Sequence, residues 1–148
     1  MRVAIDGIDA AGKTTLAGEL TAVLRDRGCM VIQASVDGFQ RPRTERYRRG
    51  AESADGYYED AFDYPALRAA LLEPLGPAGN LRFRTAVFEL PADSPAAEPL
   101  RTASPDALLL VDGVFLLRPE LADCWDFTIF INEHPARPRL SAVGRRSR

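Results

Sequence analysis

Lysine is almost missing from this chain. Of its nineteen lysine and arginine residues only Lys13 is a lysine. Every other cationic side chain is a planar guanidinium, so position 13 stands out as one that calls for a compact ammonium. Histidine occurs once, at His134, which alone builds no metal site and reads as a surface residue. The two cysteines, Cys29 and Cys124, are far apart and lack metal-ligand spacing. Both sit beside apolar residues and read as reduced thiols of a cytoplasmic protein. No apolar run approaches the roughly 18 residues needed to cross a bilayer, so no membrane partner is expected. A strand-like segment follows Met1 at once, so no signal peptide is expected. The net charge of -2 gives no support to a nucleic-acid partner.

What is present is an ordinary globular composition, 46% apolar and 27% charged over 148 residues. That length suits one domain with its own core. Val3-Ala4-Ile5, closed by Asp6-Gly7, reads as a buried strand. Thr14 to Arg27 reads as a helix with Leu16, Leu20, Val23 and Leu24 on one stripe and Gly28 at its C-terminal cap. Met30 to Ser35 reads as a second strand, which makes a βαβ unit and implies a parallel sheet. Residues 37–60 are polar and rich in arginine and tyrosine, too long for a plain connector, and read as a functional segment holding a short helix. Pro65 to Leu72 reads as a helix with proline in its first turn. Leu81 to Leu90 reads as a hairpin arm or extended strand, and Pro91 to Pro105 as loop. Ala107 to Val111 is a continuous apolar run of the kind buried on both faces of a parallel sheet, and Asp126 to Ile131 is one more strand.

Gly7-Ile8-Asp9-Ala10-Ala11-Gly12-Lys13-Thr14 matches the phosphate-binding pattern G-x-x-x-x-G-K-[ST] in full, with Thr15 following. The glycines let the backbone wrap so that successive N–H groups point at phosphate oxygens, and the helix that follows favours anions at its N-terminus. Lys13 is placed to reach the β- and γ-phosphates of ATP, and the Thr14 hydroxyl to coordinate Mg²⁺. The strand before and the amphipathic helix after supply the context such a loop requires.

Two acids end strands. Asp112 closes Leu108-Leu109-Leu110-Val111, in the form of a Walker B strand whose carboxylate holds Mg²⁺; the competing reading is a turn with Gly113. Asp37 follows the second strand and reads either as the base that accepts a hydroxyl proton or as part of a local turn with Gly38. Arg41, Arg43, Arg46, Arg48 and Arg49 crowd one stretch, and Arg137, Arg139, Arg145, Arg146 and Arg148 another. Each cluster reads either as a phosphate-facing surface or as a solvated face. There is no Asn-Lys-x-Asp guanine motif, since there is no second lysine.

Asp37-Gly38-Phe39, the arginine-rich stretch behind it, Phe62-Asp63-Tyr64-Pro65 and Val111-Asp112-Gly113-Val114-Phe115-Leu116 resemble, in order and spacing, the uridine kinase family of P-loop kinases. That family stands with phosphoribulokinases and pantothenate kinases. The resemblance covers roughly residues 2 to 131. It implies an α/β fold with a P-loop NTPase-type parallel sheet flanked by helices, ATP and Mg²⁺ as cofactors, and transfer of the γ-phosphate to a hydroxyl of a nucleoside or similar small alcohol. By position, Asp37 matches the catalytic acid, Asp112 the Walker B acid, and Asp63 an acid that contacts sugar hydroxyls. Arg41 and Arg43 are candidates for the acceptor or phosphate side.

Two departures matter. Phe88-Glu89-Leu90 stands where nucleoside kinases carry a Tyr-Asp-Phe element, so uridine itself is expected to be a poor acceptor. The family continues past its last matched strand into an arginine-bearing lid helix, a strand and a helix. Here residues 1–134 read as the kinase core and 135–148 as an atypical arginine-rich tail, with Pro135 and Pro138 opposing a helix. The expectation is a sheet that lacks the family's last strand and helix, with an ill-ordered terminus and an open edge. The alternative function is a nucleotide-binding protein with little or no turnover.

Overall fold

The computed structural model describes residues 1–8, 11–134 and 137–145, with side chains through residue 132. The core is a five-stranded sheet in the order β2-β7-β1-β8-β9. Its strands are β1 (Arg2–Gly7), β2 (Val31–Ser35), β7 (Leu108–Gly113), β8 (Phe127–His134) and β9 (Arg137–Arg145). The first four in spatial order are parallel, and β9 returns antiparallel along β8. Helix α1 (Lys13–Asp26) follows β1. After β2 come a 3₁₀ turn (Val36–Phe39), α2 (Arg43–Arg46), α3 (Ala54–Asp60) and α4 (Tyr64–Leu67), which runs on as a π turn over Arg68–Leu72.

Strand alternation decides which face each residue supports. Ala4, Leu109 and Val111 face α4 and its π turn, where Leu67, Leu71, Leu72, Phe39, Phe62 and Trp125 close the larger half of the core. Val3, Ile5, Leu110 and Ile131 face α1 and its half-buried Leu16, Leu20 and Leu24. Both faces of the parallel strands are thus covered, which is why they read as unbroken apolar runs. Among the described residues no helix is long and apolar enough to cross a membrane, and Cys29 and Cys124 are both free thiols.

The structure corrects several expectations. Val23 is half exposed; the inner line of α1 is Lys13, Ala17 and Thr21, rotated from the expected stripe. Leu81 to Leu90 is not one arm. It holds two short strands, β3 (Arg82–Phe83) and β4 (Phe88–Glu89), that pair with β6 (Arg101–Thr102) and β5 (Ser94–Pro95), so the expected loop supplies both partners. The edge expected to lie open beside β8 carries an antiparallel strand. Residues 137–145 form β9 along the whole of β8, with a register shift between Thr128 and Ile129. Pro138, which opposes a helix here, is tolerated in an edge strand; Pro135 lies outside the described residues. Arg146 and Arg148 lie outside the described residues.

The rotation of α1 gives a test. Leu109 is fully buried between the two layers, so Leu109→Ala should cost about 2–5 kcal/mol in urea-induced unfolding. Val23→Ala, expected from the stripe to be a core truncation, should shift stability by no more than about 0.5 kcal/mol.

Candidate functional site

The phosphate loop is assembled by β1 and α1. At Gly7 a Cβ would sit 2.7 Å from the carbonyl oxygen of Ile131, so only glycine lets the loop leave the sheet so close to β8. Gly12 takes a left-handed conformation, φ 86°, as the residue that opens α1, and no side chain caps that helix. Its first-turn N–H groups are therefore free of a local acceptor side chain, which is the arrangement that receives an anion. Ala11, Gly12, Lys13, Thr14 and Thr15 line a cavity of about 310 Å³ over this turn. Asp9 and Ala10 lie outside the described residues. Lys13 is largely buried, and its Nζ donates to the Ile8 carbonyl at 2.6 Å. The ammonium thus spans the loop it belongs to.

The two motifs read as phosphate loop and Walker B strand meet directly. Thr14 Oγ1 donates to Asp112 Oδ2 at 2.9 Å. Register explains it: β1 and β7 are neighbours with Ile5 opposite Asp112. The Asp112 carboxyl is buried, and burial pushes its pKa up, with the Thr14 hydroxyl pulling it down and the charge of Asp37 pushing it further up. Asp37 and Asp112 therefore share one crevice at the strand tips, as their positions after β2 and β7 require. A hydroxyl and a desolvated carboxylate next to a second carboxylate form a hard oxygen donor set, the chemistry that suits Mg²⁺. The residues present fit that ion.

Asp37 is exposed. The turn it belongs to is capped by Ser35, whose Oγ accepts from the Asp37 N–H at 3.2 Å. The Asp37 carboxylate receives Gln40 Nε2 at 3.2 Å, from the residue that ends the same turn. The β4–β5 hairpin docks on this turn through the Val87 N–H, which donates to the Gly38 carbonyl at 2.9 Å. That places buried Phe88 on the segment packed beside Asp37.

The other expected contact residues already have structural partners. Asp63 caps α4, accepting from the Ala66 N–H at 3.0 Å. Arg41 donates from Nε to the Phe62 carbonyl at 3.2 Å and pairs with Glu45 at 3.6 Å. The Arg43 N–H donates to Asp93 Oδ1 at 2.8 Å, while its side chain is exposed. Arg48 and Arg49 both clasp buried Asp60, at 2.6 and 2.9 Å. The hydrogen bond from Arg48 holds that carboxyl below the usual range. Both guanidinium side chains stay largely exposed, so this part of the cluster is a solvated face that also clamps one buried carboxylate.

Three features escaped the sequence. Asp6 is buried at the tip of β1, where Oδ1 accepts from the Gly7 N–H at 2.7 Å and Oδ2 from the Leu117 N–H at 3.2 Å. It thereby ties the phosphate loop to the loop after β7. Gln40 supports Asp37. Arg118 is buried against Tyr58 and Tyr64, at 4.1 and 4.2 Å from their ring centres. Only the run Val111 to Leu116 pointed toward this loop, and it carried no sign of Arg118.

The raised pKa of the Asp112 carboxyl has a testable consequence. A carboxyl whose folded pKa exceeds its unfolded value destabilises the fold once pH climbs above about 3.8, because the charged form is the one burial disfavours. Asp112→Asn keeps an oxygen for the Thr14 hydroxyl and removes the charge. Without Mg²⁺ the variant should melt at or above the wild-type temperature near pH 7; with Mg²⁺ and ATP the wild type should gain thermal stability and the variant should gain less.

No protein-family model and no curated protein matches the sequence. Solved structures do match. A possible uridine kinase from Bacillus stearothermophilus superposes with a TM-score of 0.79 at 26% identity, covering 92% of this chain and 72% of that one. A protein proposed as a fructose transport system kinase, from Silicibacter sp. TM1040, superposes with a TM-score of 0.67 at 24% identity, covering 92% and 66%. The YGR205w protein shares the fold at a TM-score of 0.52 and 11% identity, covering 84% and 53%. The chain is thus shorter than each of these structures. It carries a uridine kinase-like P-loop kinase fold, a parallel four-stranded core flanked by helices with one antiparallel strand added.

Proposed function

We propose that the protein is an ATP- and Mg²⁺-dependent phosphotransferase that phosphorylates a hydroxyl of a small neutral acceptor, a nucleoside or another alcohol. The observation that carries this reading is the 2.9 Å bond between Thr14 and Asp112 at the mouth of the phosphate loop. It joins the two motifs such a reaction needs. Thr14 and Asp112 would hold Mg²⁺, which when bound would supply positive charge to offset that of the phosphates.

The chain's own groups then have distinct tasks. The N–H groups at the start of α1 hold the phosphates. Lys13 exchanges the Ile8 carbonyl for phosphate oxygen and places a point charge over the transferring group. Asp37 orients the acceptor hydroxyl and takes its proton, steadied by Gln40. Asp63, Arg41, Arg43 and Phe88 support the acceptor side from behind rather than line it: Asp63 caps α4, Arg41 and Arg43 hold their own segment to Phe62 and Asp93, and Phe88 is buried beside the Asp37 turn. Protein atoms contribute mostly position and charge rather than covalent chemistry.

A second reading is a nucleotide-binding protein with little turnover. It is favoured by one observation: among the described residues the segment after β8 is a strand, with no helix there to bring arginines over the phosphates. Calorimetry with Mg-ATP alongside an acceptor-dependent ADP-release assay separates the two readings. ATP binding with no ADP release over a panel of nucleosides, sugars and small alcohols supports the second.

Lys13→Ala should weaken Mg-ATP binding by about tenfold or more, the equivalent of roughly 1.4 kcal/mol, with the fold intact by circular dichroism. Unchanged affinity in calorimetry would remove the basis for the phosphate-loop role. Asp37→Asn should lower kcat by about 10²–10⁴ with ATP affinity held, the range ascribed to a positioned base. Equal loss of ATP binding in that variant would place Asp37 on the nucleotide instead.

A further inference from the structure

A second cavity, of about 370 Å³, lies against the phosphate loop, walled by Gly7, Ile8, Tyr57, Val114 and Phe115 among others. It is distinct from the polar cradle over residues 11–15. Its walls are mostly apolar and aromatic, and it sits between the tip of β7 and α3, the helix of the excursion that begins at Asp37. Phosphates suit the first cavity; an uncharged ring suits the second.

One wall is held in an unusual way. Phe115 has φ 59°, a left-handed conformation that bulky side chains rarely adopt and that persists only where the surroundings enforce it. Its ring meets Tyr57 and Tyr58 edge-on, with centroids 5.2 and 5.0 Å apart. The three residues that follow are each tied down. The Leu116 carbonyl accepts from Trp125 Nε1 at 2.7 Å, the Leu117 N–H donates to Asp6, and Arg118 Nη1 donates to the Tyr58 carbonyl at 2.7 Å. The Arg118 side chain is 6% exposed and paired with Glu120. Its charge is spent inside the protein and it lies flat against two tyrosines, so it joins α3 to the loop after β7 instead of meeting a ligand.

We propose that Phe115 is a specificity-determining residue of the acceptor site, its ring fixed as a wall of this cavity by a positioning residue, Arg118, so that the site takes a neutral, ring-bearing acceptor. The inference rests on the kinase reading given above. A nucleoside or a cyclic sugar would lay its ring against Phe115 and Tyr57 and present a hydroxyl toward Asp37. A linear polyol would leave that wall uncovered, and a phosphorylated acceptor would meet a wall without a free cation among its lining side chains.

The test uses the full chain, a panel of nucleosides and cyclic sugars set against linear polyols, and the variants Phe115→Ala, Arg118→Met and Arg118→Lys. The wild type should prefer ring-bearing acceptors. Phe115→Ala and Arg118→Met should raise the acceptor KM about tenfold or more, the scale on which apolar pockets discriminate, with kcat and the Mg-ATP dissociation constant nearly unchanged. Lysine at 118 can still donate to the Tyr58 carbonyl but cannot stack as a plane, so it should rescue in part. A fall in melting temperature with KM unaltered would reduce Arg118 to a structural residue and overturn the proposal. A parallel rise in the Mg-ATP dissociation constant would assign the cavity to the nucleotide's base and overturn it too. Trp125 is the only tryptophan and bonds to Leu116, so its acrylamide quenching reports the loop without any need for turnover. Quenching should rise in Arg118→Met and not in the control Val23→Ala; unchanged quenching would remove the clamp. If the wild type binds Mg-ATP yet phosphorylates nothing, the kinase reading has failed and the acceptor role of Phe115 falls with it, while quenching still decides the clamp.

Discussion

The site depends on the pairing of β1 with β7. These strands are far apart in sequence, yet Ile5 lies opposite Asp112 and Asp6 opposite Gly113. That register sets the start of the phosphate loop beside the acid-bearing strand tip, and the Thr14–Asp112 bond follows from it. A slip of one residue would turn Asp112 to the other face of the sheet. The apolar residues on both faces of the two strands oppose such a slip, because each would trade its layer of the core for the wrong one. Core packing and site geometry are therefore one constraint at this pair of strands.

Most of the framework was legible in the residues because it obeys local rules. Unbroken apolar runs marked the parallel strands, Gly28 marked the end of α1, and the spacing of Gly7, Gly12, Lys13 and Thr14 marked the loop by a mechanism with few alternatives. What was not legible depends on distant neighbours. Val23 shares the helical period of Leu20 and Leu24, and only the placement of α1 on β1 and β2 shows it facing water. The strand at residues 137–145 has too many arginines and a proline for a confident strand pattern; its conformation is set by the long edge of β8 alongside it. The left-handed backbone of Phe115 goes against the preference of its own side chain, so no local rule could find it.

The arginines show how composition misleads about role. Five of them in nine residues suggest an anion-binding surface, but Arg48 and Arg49 both converge on Asp60, while Arg41 and Arg46 donate to the carbonyl groups of Phe62 and Arg41. Arginine suits such work because its planar fork makes several directed bonds at once. The chain's single lysine lies at the start of α1, where its compact ammonium donates to the Ile8 carbonyl. The division follows from side-chain geometry, since both residues carry the same unit charge.

Strand β9 has a consequence for how the molecule behaves among its own copies. A sheet that stopped at β8 would present an eight-residue ladder of unpaired N–H and C=O groups to any passing chain. With β9 in place that ladder is paired, and among the described residues the strand beside it includes Pro138, which lacks an N–H to offer a further strand. Among the described residues, the pairing capacity of this edge of β8 is thus taken up within the chain itself.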